Sequence, residues 1–140
     1  SLPSLGFGMG IERLLMVMNK QGCLFPQLKT PDVYIAPMGE KAMTEALRLC
    51  AEIRDEGFVA ITDVTGRSLK AQMKYADKIK AKNSIVIGDN ELETGIAKLK
   101  VMTTGEQTEV NLREGLVSAI YDQTLAQTLN ELELSMEKLK

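Results

Sequence analysis

The sequence predicts an α/β fold built on a mixed five-stranded sheet, and three observations predict it. Short, continuously apolar runs recur at Val33-Tyr34-Ile35-Ala36, Phe58-Val59-Ala60-Ile61 and Ser84-Ile85-Val86-Ile87. Stretches of helical periodicity separate them, which is the grammar of a βαβαβ unit. After Gly88 the text switches to alternation of polar and apolar residues, as in a sheet with one wet face. The 140 residues suffice for one such sheet with its covering helices, and 44% hydrophobic with 26% charged content is ordinary for a globular domain.

The first run, Val33 to Ala36, is broken by Pro37-Met38-Gly39. Met43, Ala46, Leu47, Cys50 and Ile53 then recur at helical spacing, and Gly57 is the expected stop. Lys41/Glu45 and Arg48/Glu52 add opposite charges four residues apart on the outer side. Phe58 to Ile61 is the second strand, Asp63 to Arg67 a loop, Ser68 a candidate N-cap, and Leu69 to Ala81 a helix leading to the third strand. Right-handed crossovers place the first strand between the other two. From Ile96 to Met102, Ala97, Leu99 and Val101 share one face and Lys98 and Lys100 the other. Gln107 to Leu112 alternates likewise, and Thr103 to Glu106 is a hairpin turn. A closing helix is expected from near Arg113. Its Leu125, Leu129, Leu132, Met136 and Leu139 follow 4-3-4-3 spacing, read as a helix packed on its own domain rather than a coiled coil.

Composition excludes several chemistries. The absence of histidine removes Ser-His-Asp and Cys-His catalysis and most zinc sites. Cys23 and Cys50 have no metal-like spacing, so no metal site is read and both are expected as free thiols. A net charge of −2 argues against a grip on nucleic acid made chiefly through phosphates, and 4% aromatics without tryptophan argue against base stacking as its basis. No apolar run is long enough to span a bilayer, and Ser1-Leu2-Pro3-Ser4 opens no secretory signal.

Three stretches bear on chemistry. "LGFGMGIERLLMVMNKQG", from Leu5, alternates glycine with apolar residues and then sets Arg13 in an apolar helix. Alternating glycines clear room above a strand for a flat ligand, and Arg13 would then meet a phosphate; close strand–helix packing with a solvated Arg13 fits the pattern equally. "GDNELETGIAKLK" places Glu91 nine residues before Lys100. A carboxylate and ammonium groups on a wet face suit the exposed edges of unpaired bases, although Glu91 also reads as an ordinary turn residue. Arg67, Lys70, Lys74 and Lys78 fall within a quarter-turn on a helix, a stripe able to follow a phosphate backbone or simply a solvated face.

"GFGMGIERLL" resembles motif 3 of the class II aminoacyl-tRNA synthetases, Gly-x-Gly-x-Gly-x-x-Arg. "SLKAQMKYAD", "GDNELETG" and "KVMTTGEQ" resemble the anticodon-binding domain of the histidyl-tRNA synthetases, and the likeness fades only after about Ala126. The resemblance implies an anticodon-binding-domain-like three-layer fold in residues 32–140, a linker at 25–31, and a remnant of a catalytic domain in 1–24. It implies that Gly8 and Gly10 floor an adenylate pocket and that Arg13 binds ATP phosphate in the full-length enzyme. It further implies that Glu91 and Lys100 contact anticodon bases; Lys98 joins them by sharing the Lys100 face, and the stripe of Arg67, Lys70 and Lys74 would follow the backbone of the same tRNA. The parent would be a cytoplasmic, homodimeric histidine–tRNA ligase using ATP and Mg2+, with histidine tRNA as partner and neither DNA nor membrane. The chain itself is expected to be a C-terminal fragment without aminoacylation activity or a cofactor of its own.

Two other readings make different predictions. A synthetase-like regulatory or tRNA-sensing domain would lack ligase motifs upstream. A flavodoxin-like module would bind a nucleotide or flavin at Pro37–Gly39, Asp63–Gly66 and Gly88–Asn90, beyond the strand ends.

Overall fold

The computed structural model describes residues 3–25 and 29–137. In chain order the elements are α1 (Ile11–Lys20), β1 (Val33–Pro37), α2 (Glu40–Asp55), β2 (Ala60–Thr62), α3 (Leu69–Lys78), β3 (Asn83–Ile87), α4 (Asp89–Thr94), β4 (Ile96–Val101), β5 (Gln107–Asn111) and α5 (Leu116–Glu137). The five strands form one sheet in the order β2-β1-β3-β4-β5. β1 runs parallel to both β2 and β3, while β3–β4 and β4–β5 are antiparallel. The mixed sheet and the place of β1 between β2 and β3 are as the apolar runs and crossover handedness predict.

β1 is buried on both faces because it alternates between two cores. Val33 and Ile35 face Leu49, Cys50 and Ile53 of α2, and the same core continues through Leu99 and Val110 to Leu116 and Ile120 of α5. Tyr34 and Ala36 face the other way, onto Ala76 and Met73 of α3. Asp32 ties the strand entrances together: its carboxylate accepts from Val59 N–H at 2.9 Å and from Lys82 Nζ at 2.9 Å, and its carbonyl accepts from Asn83 Nδ2 at 3.0 Å.

The boundaries differ from the sequence reading where side chains override pattern. β2 is shorter than expected and starts at Ala60, because Asp32 captures the Val59 amide and Phe58 turns to meet Tyr121 edge-on, ring centroids 6.4 Å apart. α3 stops at Lys78, before the expected Ala81, through a left-handed Lys80 at φ 54. There Ala81 N–H donates to Ala76 O and Lys80 N–H to Asp77 O, a stop that glycine would advertise and lysine conceals. Residues 89–94 form the short helix α4 rather than a turn; Glu91 accepts from the Gly88 amide at its start, and Gly95 at φ 71 ends it.

α5 packs on its own domain, as expected, at its start, but not at Leu125, Leu129 and Met136 further along. It begins at Leu116, after Asn111 Oδ1 accepts from the amides of Arg113 and Glu114. Its 22 residues make a rod of about 33 Å, whereas five-residue β5 offers roughly 17 Å of sheet to cover. Leu116 and Ile120 are therefore buried, while Leu125, Leu129 and Met136 are exposed. The side chain of Leu132 and the whole of Leu139 lie outside the described residues.

The two thiols part company. Cys50 is buried between α2 and the sheet, and burial pushes its thiol up to about 11 against a weaker pull from Arg54. Cys23 is exposed. A thiol-specific reagent at neutral pH is expected to label Cys23 in the native chain and Cys50 only after unfolding. Labelling of both at equal rates would contradict the placement of Cys50.

Candidate functional site

Strand alternation sets out the site. On β4, Ala97, Leu99 and Val101 are buried in or beside the core, so Lys98 and Lys100 project from the opposite face. α3 covers that face over β1, and Met102, just past the end of β4, joins the same cluster, but the rungs of Lys98 and Lys100 stay open. What remains is an open trough of about 550 Å³. Ser84 and Val86 of β3, Lys98 and Lys100 of β4, and Gln107 and Glu109 of β5 make its floor. Met73 of α3 borders one side, and Asn90, Glu91 and Thr94 of α4 border another.

Register fixes which floor residues are neighbours. Lys100 lies opposite Ser84 on one side and Gln107 on the other, and Lys98 lies opposite Glu109. The floor thus presents two ammonium groups, a carboxylate, an amide and a hydroxyl in a lattice set by the backbone. Glu91 reaches the same trough while serving its own helix. Its Oε2 accepts from Gly88 N–H at 2.8 Å, and that hydrogen bond holds its carboxyl below the usual range despite partial burial. Glu91 therefore stays an anion.

Arg67 needs a correction. It precedes Ser68, the cap of α3, so it does not continue a helical stripe with Lys70 and Lys74. Its guanidinium donates from Nε to Asp63 Oδ1 at 2.7 Å and stacks 4.6 Å above the Tyr75 ring. Asp63 is almost wholly buried and also accepts from the Arg67 amide at 2.8 Å and from Thr65 Oγ1 at 2.9 Å. Burial alone would raise the Asp63 carboxyl; these hydrogen bonds prevail and hold it below the usual range. Gln72 completes the knot, donating from Nε2 to the carbonyls of Pro37 and Arg67 at 2.9 and 2.7 Å. The Asp63 loop, a candidate ligand loop on sequence, is thus occupied by the chain's own arginine.

Lys70 and Lys74 are exposed on α3, outside the trough lining. Gly8, Gly10 and Arg13 stand elsewhere again. Residues 3–10 pair with no strand among the described residues, and a strand needs a neighbour to hydrogen-bond. A Cβ added at Gly8 would meet nothing within 4 Å, and one added at Gly10 would meet only Arg13 Cβ, at 3.7 Å. α1 buries no residue. The structure therefore gathers Glu91, Lys98 and Lys100 in one place and leaves the glycines and Arg13 apart from it. Gln107 and Glu109 join the trough without having been singled out, and Asn90 borders it from the Gly88–Asn90 loop that the flavodoxin-like reading named. The hairpin pattern could have shown the first two, since its register pairs them with the lysines.

Residues 32–120 match the family described as "Anticodon binding domain". The chain belongs to that family. A histidine–tRNA ligase of Acetivibrio thermocellus is 56% identical over 110 residues, 79% of this chain and 26% of that protein. Among solved structures, the apo histidyl-tRNA synthetase of S. aureus aligns with a TM-score of 0.63 and 39% identity, covering 79% of this chain and 32% of that one. The histidyl-tRNA synthetase of Nostoc sp. PCC 7120 aligns with a TM-score of 0.64 and 28% identity, covering 83% and 28%. The chain spans about a quarter to a third of the length of these relatives. As an anticodon-binding domain, it shares with them the α/β sheet and its flanking helices, and its trough is the open polar side of the last two strands.

Proposed function

We propose that this anticodon-binding domain reads the anticodon of histidine tRNA within a histidine–tRNA ligase, with unpaired bases lying in the β3–β4–β5 trough. One observation carries the reading: in a chain of this family, the polar side of the hairpin is uncovered and holds Lys98, Lys100 and Glu91 together. Unstacked anticodon bases expose edges that ammonium groups donate to and carboxylates accept from. Lys70 and Lys74, exposed on α3, would meet the backbone of the anticodon stem, with Arg67 fixing the loop that leads into that helix. The relatives are named as ligases, which favours a ligase over a sensor lacking that activity.

In the same proposal, residues 1–24 belong to the ligase's catalytic domain and 25–31 link it to the domain at 32–140. Gly8 and Gly10 would line an adenylate pocket and Arg13 would meet ATP phosphate, with Mg2+, once the remainder of that pocket is supplied. The described residues do not fit ATP or Mg2+ by themselves. Gly8 and Gly10 lie in the open, and among the described residues no three His, Cys, Asp or Glu converge. The whole ligase is proposed as a cytoplasmic homodimer with tRNA rather than DNA as partner. Among the described residues no helix is long and apolar enough to cross a membrane.

Filter binding of histidine tRNA transcripts at low salt tests the reading. Substituting an anticodon base is expected to weaken binding about tenfold, since one good base-edge contact is worth roughly 1–3 kcal/mol. Equal affinity for every anticodon would overturn it.

A further inference from the structure

Lys98 and Glu109 are directly opposed across the β4–β5 ladder, and both are exposed on the trough floor. Opposed residues on one face carry Cβ atoms about 4.5–5.5 Å apart, close enough for an ammonium and a carboxylate to meet. They do not close on each other. Among the described residues, neither side chain has an ion-pair or hydrogen-bond partner. The next rung sets Lys100 opposite Gln107, so the two rungs differ in having a carboxylate or a neutral amide beside the ammonium. Glu91, the other carboxylate of the trough, already spends an oxygen on the Gly88 amide.

We infer that the Lys98–Glu109 rung selects a guanine, an inference that rests on the anticodon reading above. The pairing edge of guanine presents an acceptor, O6, followed by two donors, N1–H and the N2 amine. A carboxylate accepts from two adjacent donors at once, and a lysine ammonium only donates. Glu109 with Lys98 therefore matches the whole edge: one carboxylate oxygen for N1–H, the other for the amine, and the ammonium for O6. Adenine, cytosine and uracil each offer a single donor group on that edge, so the second carboxylate oxygen would face an acceptor and repel it. The Lys100–Gln107 rung cannot substitute, because an amide turns one acceptor and one donor outward.

The two residues act on different atoms of the base, and inosine separates them. Inosine keeps O6 and N1–H and lacks only the exocyclic amine. Anticodon stem-loop RNAs carrying guanine, inosine or adenine at each triplet position are titrated against the 140-residue chain and two variants. The native chain is expected to prefer guanine to inosine about tenfold at one position. Glu109→Gln is expected to bring that ratio within about twofold, because the amide's single acceptor oxygen cannot take N1–H and the amine together. Lys98→Gln is expected to weaken guanine and inosine RNAs alike and leave the ratio intact. Both sites are exposed, so circular dichroism should show native folding. A guanine-to-inosine ratio that survives Glu109→Gln, or a native preference for another base at every position, would overturn the inference and leave the anticodon reading standing. A native chain indifferent to all three bases at all positions would bring down both.

Discussion

Replacing Lys98 and Lys100 together with glutamate is expected to abolish detectable binding of histidine tRNA to this chain. The net charge is only −2, so retention of a polyanion depends on where the positive charge sits. Both lysines lie on the floor of a trough that already holds Glu91 and Glu109. Reversal would leave that surface with four carboxylates facing the RNA. Each charge pair at about 4 Å is worth about 1 kcal/mol even at the dielectric of water, so the affinity should fall at least about a hundredfold. The carboxylate introduced in place of Lys98 would oppose Glu109 directly, which costs some stability, of the order of 0.2–1 kcal/mol. Lys98→Gln with Lys100→Gln serves as the control: it removes the ammonium groups without adding repulsion and should weaken binding while leaving the melting curve near native. Fluorescence anisotropy with labelled tRNA reads both. Retention of native affinity by the glutamate variant, with its fold intact, would show that RNA does not lie against β4.

Asp63→Ala is the substitution expected to damage the fold most selectively. It leaves the Arg67 amide and Thr65 hydroxyl without their acceptor in a part of the molecule where Asp63 is only 1% exposed. Losing a buried acceptor of this kind costs about 2–3 kcal/mol, or roughly 10 °C in Tm for a domain of this size. Arg67 is partly solvated, with a side chain 39% exposed, so water absorbs part of its loss. The effect depends on pH with a definite sign. The folded carboxyl is held below its ordinary value near 3.9, so its stabilisation is complete above about pH 4. It fades as pH falls through the lower, folded value. Urea melts of both chains should therefore be widest apart at neutral pH and draw together below about pH 4. A gap that stays constant down to pH 2 would show that the carboxylate charge contributes nothing.

Much of the fold is legible because two periodicities dominate it. Runs such as Val33 to Ala36, too short for helices and rich in β-branched residues, read as strands covered on both sides, and the alternation from Ala97 to Val101 reads as a strand wet on one. That second pattern alone placed Lys98 and Lys100 on a common face. Other features were hidden for local reasons. α4 spans six residues, too few for a helical apolar stripe to register. The stop of α3 lies in a left-handed lysine, a role in which the sequence invites one to look for glycine. Arg67 reads as one more charge in a basic stripe until the structure shows Asp63 buried beside it. Leu125 and Leu129 of α5 stand at core-like spacing yet are exposed, and spacing says nothing of how much sheet is available beneath them. Gln107 and Glu109 were visible as polar strand residues, but their place in the trough depends on register, which composition does not encode.

Because β4 and β5 turn Leu99 and Val110 inward and Lys98, Lys100, Gln107 and Glu109 outward, what the hairpin prefers and what keeps it folded occupy alternate positions of the same few residues. Changes at the outward positions leave the packing beneath them untouched. A descendant of this chain could drift to a different triplet one exposed side chain at a time, without ever passing through an unstable ancestor.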